Sequence, residues 1–124
     1  MFRLVLKAYA GLIYFDRFIA SGDFAALYRK VGNHRALSTP CSAEKVKAIC
    51  LAVDVACICY PKQVLCLQRS AATACLLKSH GIAAQLVIGT QQLPFRSHAW
   101  VEVDGRVVND KPHTSETYAV LDRC

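Results

Sequence analysis

CLQRSAATACLLKSHGIAAQLVIGTQQLPFRSHAWVEVDGRVVND, residues 66–110, is the stretch on which the fold turns. Its opening, Cys66 to about His80, has a middle of small side chains, Ser70-Ala71-Ala72-Thr73-Ala74-Cys75, and closes at Gly81. It reads as a helix slim enough to lie close against a sheet or a second helix, ended by a glycine that can turn left-handed. From Ile82 the pattern changes. Ala83 to Ile88 reads as a strand ending at Gly89, followed by a loop with Pro94. His98–Val103 and Arg106–Asn109 read as two further strands around Asp104-Gly105, the strongest short hairpin signal in the chain.

The register of that hairpin decides which side chains meet. A two-residue turn at Asp104-Gly105 would pair Val103 with Arg106 and Glu102 with Val107, leaving His98 and Asp110 on opposite sheet faces. A three-residue loop, with Gly105 as a left-handed bulge residue, would instead pair Glu102 with Arg106, Val101 with Val107, Trp100 with Val108 and His98 with Asp110. The second register joins opposite charges and apolar neighbours, and it is the one expected. It also sets a carboxylate beside an imidazole.

Upstream the chain is helical in pattern. Val5, Leu12, Phe15 and Ile19 share one face and Arg3, Lys7, Tyr14 and Arg17 another, which predicts an amphipathic helix from about Leu4 to Ala20, ended by Ser21-Gly22. Asp23 is the expected cap of a shorter helix that stops at Gly32, and residues 33–41, with Pro40, read as a loop. Ser42 is the expected N-cap of a third helix with Glu44 in its first turn, running to Tyr60 before Pro61. Cys50 and Cys57 fall on its Val46, Ile49, Val53 stripe, where cysteine acts as a small core residue. At the other end of the chain, Tyr118, Val120 and Leu121 suggest a strand or extended segment.

The expected fold class is α+β, a helical first half followed by a small antiparallel sheet. At 124 residues and 54% hydrophobic content the chain has the material for one core. One domain is expected over residues 1–124, with 1–61 as its helical part and 62–124 as helix and sheet. Lys7, Asp16 and Asp54 interrupt every apolar run before it reaches the ~18 residues of a membrane span, and Leu4-Val5-Leu6 is too short for the core of a signal peptide. Seven cysteines at irregular spacing favour a reduced, cytoplasmic protein over a disulfide framework. The net charge of +6 is spread over several helix faces and sits in no nucleic-acid motif, so neither nucleic acid nor membrane is an expected partner. Cys57-Ile58-Cys59 lacks zinc-site spacing, and neither a metal nor another cofactor is expected.

The candidate chemistry lies at the two ends of the quoted stretch. Cys66 opens a helix, where free N–H groups and the positive end of the helix dipole favour a thiolate. His98 and Asp110 bracket the hairpin, and a nucleophile, a base and a carboxylate that orients the base are the parts of a thiol hydrolase. Cys66, His98 and Asp110 are therefore the candidate catalytic residues. Gln63 is a weaker candidate for an oxyanion donor, Trp100 is a candidate either to shield His98 or to fill the core, and His80 reads as a charge at a helix C-terminus.

The segments Cys66-Leu67-Gln68-Arg69-Ser70, Gly81 to Gly89 and His98 to Asp110 resemble the transglutaminase-like (papain-related) fold, and within it the stand-alone leader peptidases of lasso peptide biosynthesis. The resemblance is strong over the C-terminal half and extends to the first half in pattern alone. It implies a Cys-His-Asp peptidase that removes the leader from a ribosomally made precursor through a thioester. It further implies a leader-recognition protein that presents the substrate, a leader whose penultimate residue is usually Thr, and a separate lasso cyclase acting next. Two other readings stay open: a transglutaminase-like acyltransferase that passes the same acyl group to an amine, and a non-catalytic peptide-binding module of the same fold.

Overall fold

Helices come first along the chain: α1 (Phe2–Ser21), α2 (Phe24–Asn33), α3 (Ala43–Cys59) and α4 (Cys66–Ser79). Strands β1 (Ala84–Gln92), β2 (Phe95–Val103), β3 (Arg106–Val107) and β4 (Ala119–Arg123) follow. The computed structural model describes residues 2–22, 24–33, 43–92, 95–110 and 118–124. The expected caps Asp23 and Ser42, residues 34–41 of the expected loop, and Pro94 lie outside them. The strands form an antiparallel sheet in the order β3-β2-β1-β4. The α+β architecture is the expected one.

Small side chains make α4 the element on which the others pack. Ser70, Ala71, Ala72, Thr73 and Ala74 are all buried, because α4 lies between α1 and α3 on one side and β1 and β2 on the other. A Cβ placed on Gly11 of α1 would sit 3.4 Å from Ala72 Cβ, so glycine at that crossing lets the two backbones approach. One turn earlier, the buried Gln68 amide donates to the Leu12 carbonyl at 2.7 Å. Leu12, Phe15, Leu27, Ile49, Val53 and Leu77 join Ile82, Leu86 and Val101 of the sheet side in one core.

The C-terminal end of α4 is tied to its neighbours. At its C-terminus the Gly81 N–H bonds the Lys78 carbonyl at 3.0 Å and the Ile82 N–H bonds the Leu77 carbonyl at 3.1 Å, with Gly81 at φ 80°. These are the paired bonds of a Schellman stop, as the glycine predicted. The buried Lys78 ammonium donates to the Val31 carbonyl at 2.8 Å and to Cys124 O at 3.3 Å, joining α2 and the end of β4 to α4. Burial holds its pKa below the ordinary lysine value, with attraction from Cys124 and Cys75 opposing the shift.

The sheet departs from the sequence expectation in two places. First, β1 runs through Gly89 to Gln92 and β2 begins at Phe95, so nine residue pairs form a continuous ladder from Ala84↔Val103 to Gln92↔Phe95. Gly89 is not a terminator. A Cβ there would lie 2.6 and 2.8 Å from ring carbons of Trp100 and 2.8 Å from Tyr118 Cβ, so the bare position makes room for two aromatic residues.

Second, the expected three-residue loop is wrong. Val103 pairs with Arg106 and Glu102 with Val107, and Asp104 and Gly105 have φ of 53° and 74°. Two left-handed residues make a two-residue turn whose twist matches that of the strands. This register also sets Val108 across from Val101, its N–H bonding the Val101 carbonyl at 3.0 Å, on the face that packs against the helices. The ladder ends there, so the strand expected to reach Asn109 is only two residues long.

Candidate active site

Cys66 is the first residue of α4 and is exposed. Leu65 before it is extended at φ −75° and ψ 153° and supplies no side-chain cap, so no capping oxygen occupies the first-turn N–H groups. The other described cysteines are placed differently. Burial pushes the Cys50 and Cys75 thiols up to about 11 and raises Cys57 as well. Cys59 is exposed, but it ends α3 and so has no free first-turn N–H groups beside it.

His98 lies on β2 directly across from Gly89. Its ring is flanked by Trp100, with centroids 6.1 Å apart and planes 30° apart, and by Tyr118 at 5.4 Å. Trp100 is fully buried, and its indole N–H donates to Glu102 Oε2 at 2.9 Å. The other oxygen of Glu102 accepts from Arg123 Nε of β4 at 3.4 Å. The imidazole thus rests against aromatic walls that fix its plane, and its Nε2 is hydrogen-bonded to Asp110 Oδ2.

That contact forms although the register opposes it. Had the ladder continued, residue 111 would have faced His98, and Asp110 would have stood on the rung of Ala99 on the other face. Instead the chain leaves the ladder after Val108. Asn109 Oδ1 accepts the Val101 N–H at 2.8 Å, taking the place of the Val108 carbonyl that would complete the Val101–Val108 rung, while its Nδ2 donates to Ser70 Oγ at 3.0 Å. Its backbone carbonyl accepts from the Arg69 guanidinium, and Ser70 Oγ donates to the Ala99 carbonyl at 3.0 Å. Arg69 in turn lies 3.6 Å from Asp54 of α3.

The structure therefore joins His98 to Asp110 directly. Cys66 opens the same helix as Ser70, four residues on, and Ser70 is bonded to Ala99, the neighbour of His98 in the chain. Among the described residues no hydrogen bond links the thiol to the imidazole. Gln63 is exposed in the link before α4. Trp100 packs beside His98 on the sheet face opposite Ala99 and Val101.

His80 reverses its expected role. Burial, then the nearby charges of Lys45 and Lys7, hold its pKa below the usual histidine value, so the C-cap of α4 carries a neutral ring. A cavity of about 530 Å³, lined in part by Val46, Lys47, Val103 and Arg106, opens at the hairpin tip. Its lining also includes Val108, on the rung of Val101 and next to Asn109 in the chain. Among the described residues no three His, Cys, Asp or Glu side chains converge to hold a metal, and no described helix is long and apolar enough to cross a membrane.

Sequence reasoning missed Asn109, and it gave Glu102 the wrong partner. Asn109 is flanked by valine and aspartate in the sequence, and nothing local marks its side chain as a replacement rung. Glu102 was assigned to Arg106, whereas its partners are Trp100 and the distant Arg123.

Comparison with known proteins gives two findings. The transglutaminase-like superfamily model matches residues 10–123. The "Microcin J25-processing protein McjB" of Escherichia coli is 49% identical over 43 residues, a stretch that makes up 35% of this chain and 21% of that protein. The match thus spans about a fifth of that relative's length. No solved structure gives a significant match.

Proposed function

The chain belongs to the transglutaminase-like superfamily, and from that premise we propose that it is a cysteine peptidase that cleaves the leader from a ribosomally made lasso peptide precursor. The observation that carries the reading is the hydrogen-bonded His98–Asp110 pair, with the neighbouring Asn109 bonded to Arg69 and Ser70 of the helix whose exposed first residue is Cys66. The similarity to a microcin J25-processing protein supports the substrate class.

In this mechanism Cys66 Sγ attacks the carbonyl of the leader's last residue. Asp110 occupies His98 Nε2, which leaves Nδ1 to take the thiol proton and return it to the amine of the departing core peptide. First-turn N–H groups of α4 are the natural donors to the oxyanion. Water then attacks the thioester, with His98 as base, and releases the leader as a free acid. Asp110 orients the imidazole and stabilises its charged form. A leader-recognition protein would present the substrate and the lasso cyclase would act on the product, in the cytoplasm.

Family membership also favours a second reading, in which the same thioester passes to an amine instead of water. Intact-mass analysis of a precursor peptide separates the two. With wild-type protein, with and without a leader-recognition protein, leader-sized and core-sized products are expected, and none with Cys66→Ala. New adducts on added primary amines would establish acyl transfer, and equal products from both proteins, or none under any condition, would leave a peptide-binding module.

A further inference from the structure

We propose that Asn109 is the positioning residue of this site, the side chain that aims Asp110 at His98 and holds that pair at a set distance from the Cys66 helix. The proposal rests on the peptidase reading above. Its basis is that Asn109 sits where the carriers of all three reactive groups meet. Its Oδ1 takes the N–H of Val101, three residues along β2 from His98. Its Nδ2 reaches Ser70, one turn along α4 from Cys66. Asp110 follows it in the chain, and the backbone carbonyl of Asn109 is held by Arg69 of α4.

A carboxamide suits the position because one group must accept from a backbone N–H and donate to a hydroxyl whose own proton is already given to Ala99. By closing the ladder with a side chain, Asn109 frees the backbone to turn, and the turn carries Asp110 away from the rung of Ala99 toward His98. Without it, the ladder partner left for Val101 N–H is the Val108 carbonyl, and completing that rung keeps the backbone extended and carries Asp110 toward the rung of Ala99 on the other face. The charged groups facing this junction are Asp110 beside it, Arg69 on α4 and Asp54 on α3. None is altered by the substitutions below.

The test uses Asn109→Ala, which removes both side-chain bonds, and Ser70→Ala, which removes only the tie to α4 and keeps a good helix former. Cys66 alkylation by iodoacetamide is followed across pH on the tryptic peptide Gln63–Arg69, in which Cys66 is the sole cysteine. His98→Ala is the reference. His98→Ala is expected to change the wild-type profile, because it removes the imidazole that the peptidase reading sets against the thiol. Asn109→Ala should move most of the way to the His98→Ala profile and lower kcat on the precursor by about 10- to 100-fold, with KM changed little. Ser70→Ala should shift the same way by less.

A lowered melting temperature with an unchanged alkylation profile would make Asn109 merely structural and overturn the inference. Wild-type profiles in both variants would do the same while leaving the peptidase reading intact. If wild type and His98→Ala already coincide, the peptidase reading fails and the inference falls with it.

Discussion

Gly89 decides by a single hydrogen whether Trp100 can lie beside His98. A methyl group there would overlap two carbons of the indole at 2.6 and 2.8 Å and Tyr118 Cβ at 2.8 Å. The indole cannot retreat cheaply, since it is fully buried and bonded to Glu102. Gly89→Ala is therefore expected to cost about 1–3 kcal/mol of stability by overpacking, read as a lower midpoint in urea with an unchanged slope. It should also lower kcat more than Cys66 alkylation at high pH, because the displaced ring is the one that orients the imidazole and not the thiol. Wild-type stability in this variant would mean that the aromatic stack is looser than its distances indicate. The sequence marked Gly89 as special but gave the wrong reason, because a glycine that ends a strand and one that admits a neighbouring ring look alike until the neighbour is known.

At the level of elements, α4 is where local signals and tertiary demands agree. The small residues, Cys66 at the start and Gly81 just past the end all belong to one helix and its stop, so their consequences were readable. Its C-cap shows where such reading stops. His80 looked like a cation placed against a helix C-terminus, yet its Nε2 is buried with no hydrogen-bond partner among the described residues, and Lys45 and Lys7 lie near enough to oppose its charge. Because its folded pKa lies below 6.5, the unfolded chain takes up the proton first as pH falls. Stability from this group is thus present above 6.5 and declines through the window between 6.5 and the lower folded value. Urea unfolding at pH 7.5 and 5.5 should show a smaller acid loss for His80→Gln than for wild type; equal losses would mean that the ring is charged in the folded state. The hairpin is the converse case. Cross-strand pairs are worth only about 0.2–1 kcal/mol each, too little to override a turn in which Asp104 and Gly105 both fit left-handed backbone.

Across the whole molecule, the core sorts the thiols. Cys50 and Cys75 are pushed up to about 11 by burial, whereas Cys66 and Cys59 are exposed. Limited iodoacetamide at pH 8 should therefore label Cys66 and Cys59 before Cys50 and Cys75, as read by peptide mass spectrometry. The same burial has a thermodynamic side. Folded pKa values above the reference of 9.0 mean that the folded state keeps protons the unfolded chain has lost, so this stability is full below 9 and is lost as pH rises toward 11. Cys50→Ala/Cys75→Ala should flatten that alkaline decline, and an unchanged slope would place its origin elsewhere. By itself the sequence determined the order of helices and strands, the small-residue helix opened by Cys66, and the candidacy of His98 and Asp110. Periodicity, turn residues and helix ends act over a few positions, so a linear reading captures them. Only the tertiary structure decided how Asp110 reaches His98. The expected register was wrong, and the contact depends on an Asn109 side chain finding Ser70, 39 residues away. The partners of Glu102 had the same origin, because Arg123 arrives from a strand 21 residues on. Such hydrogen bonds depend on which backbones pack together, a property of the folded core that local spacing does not encode.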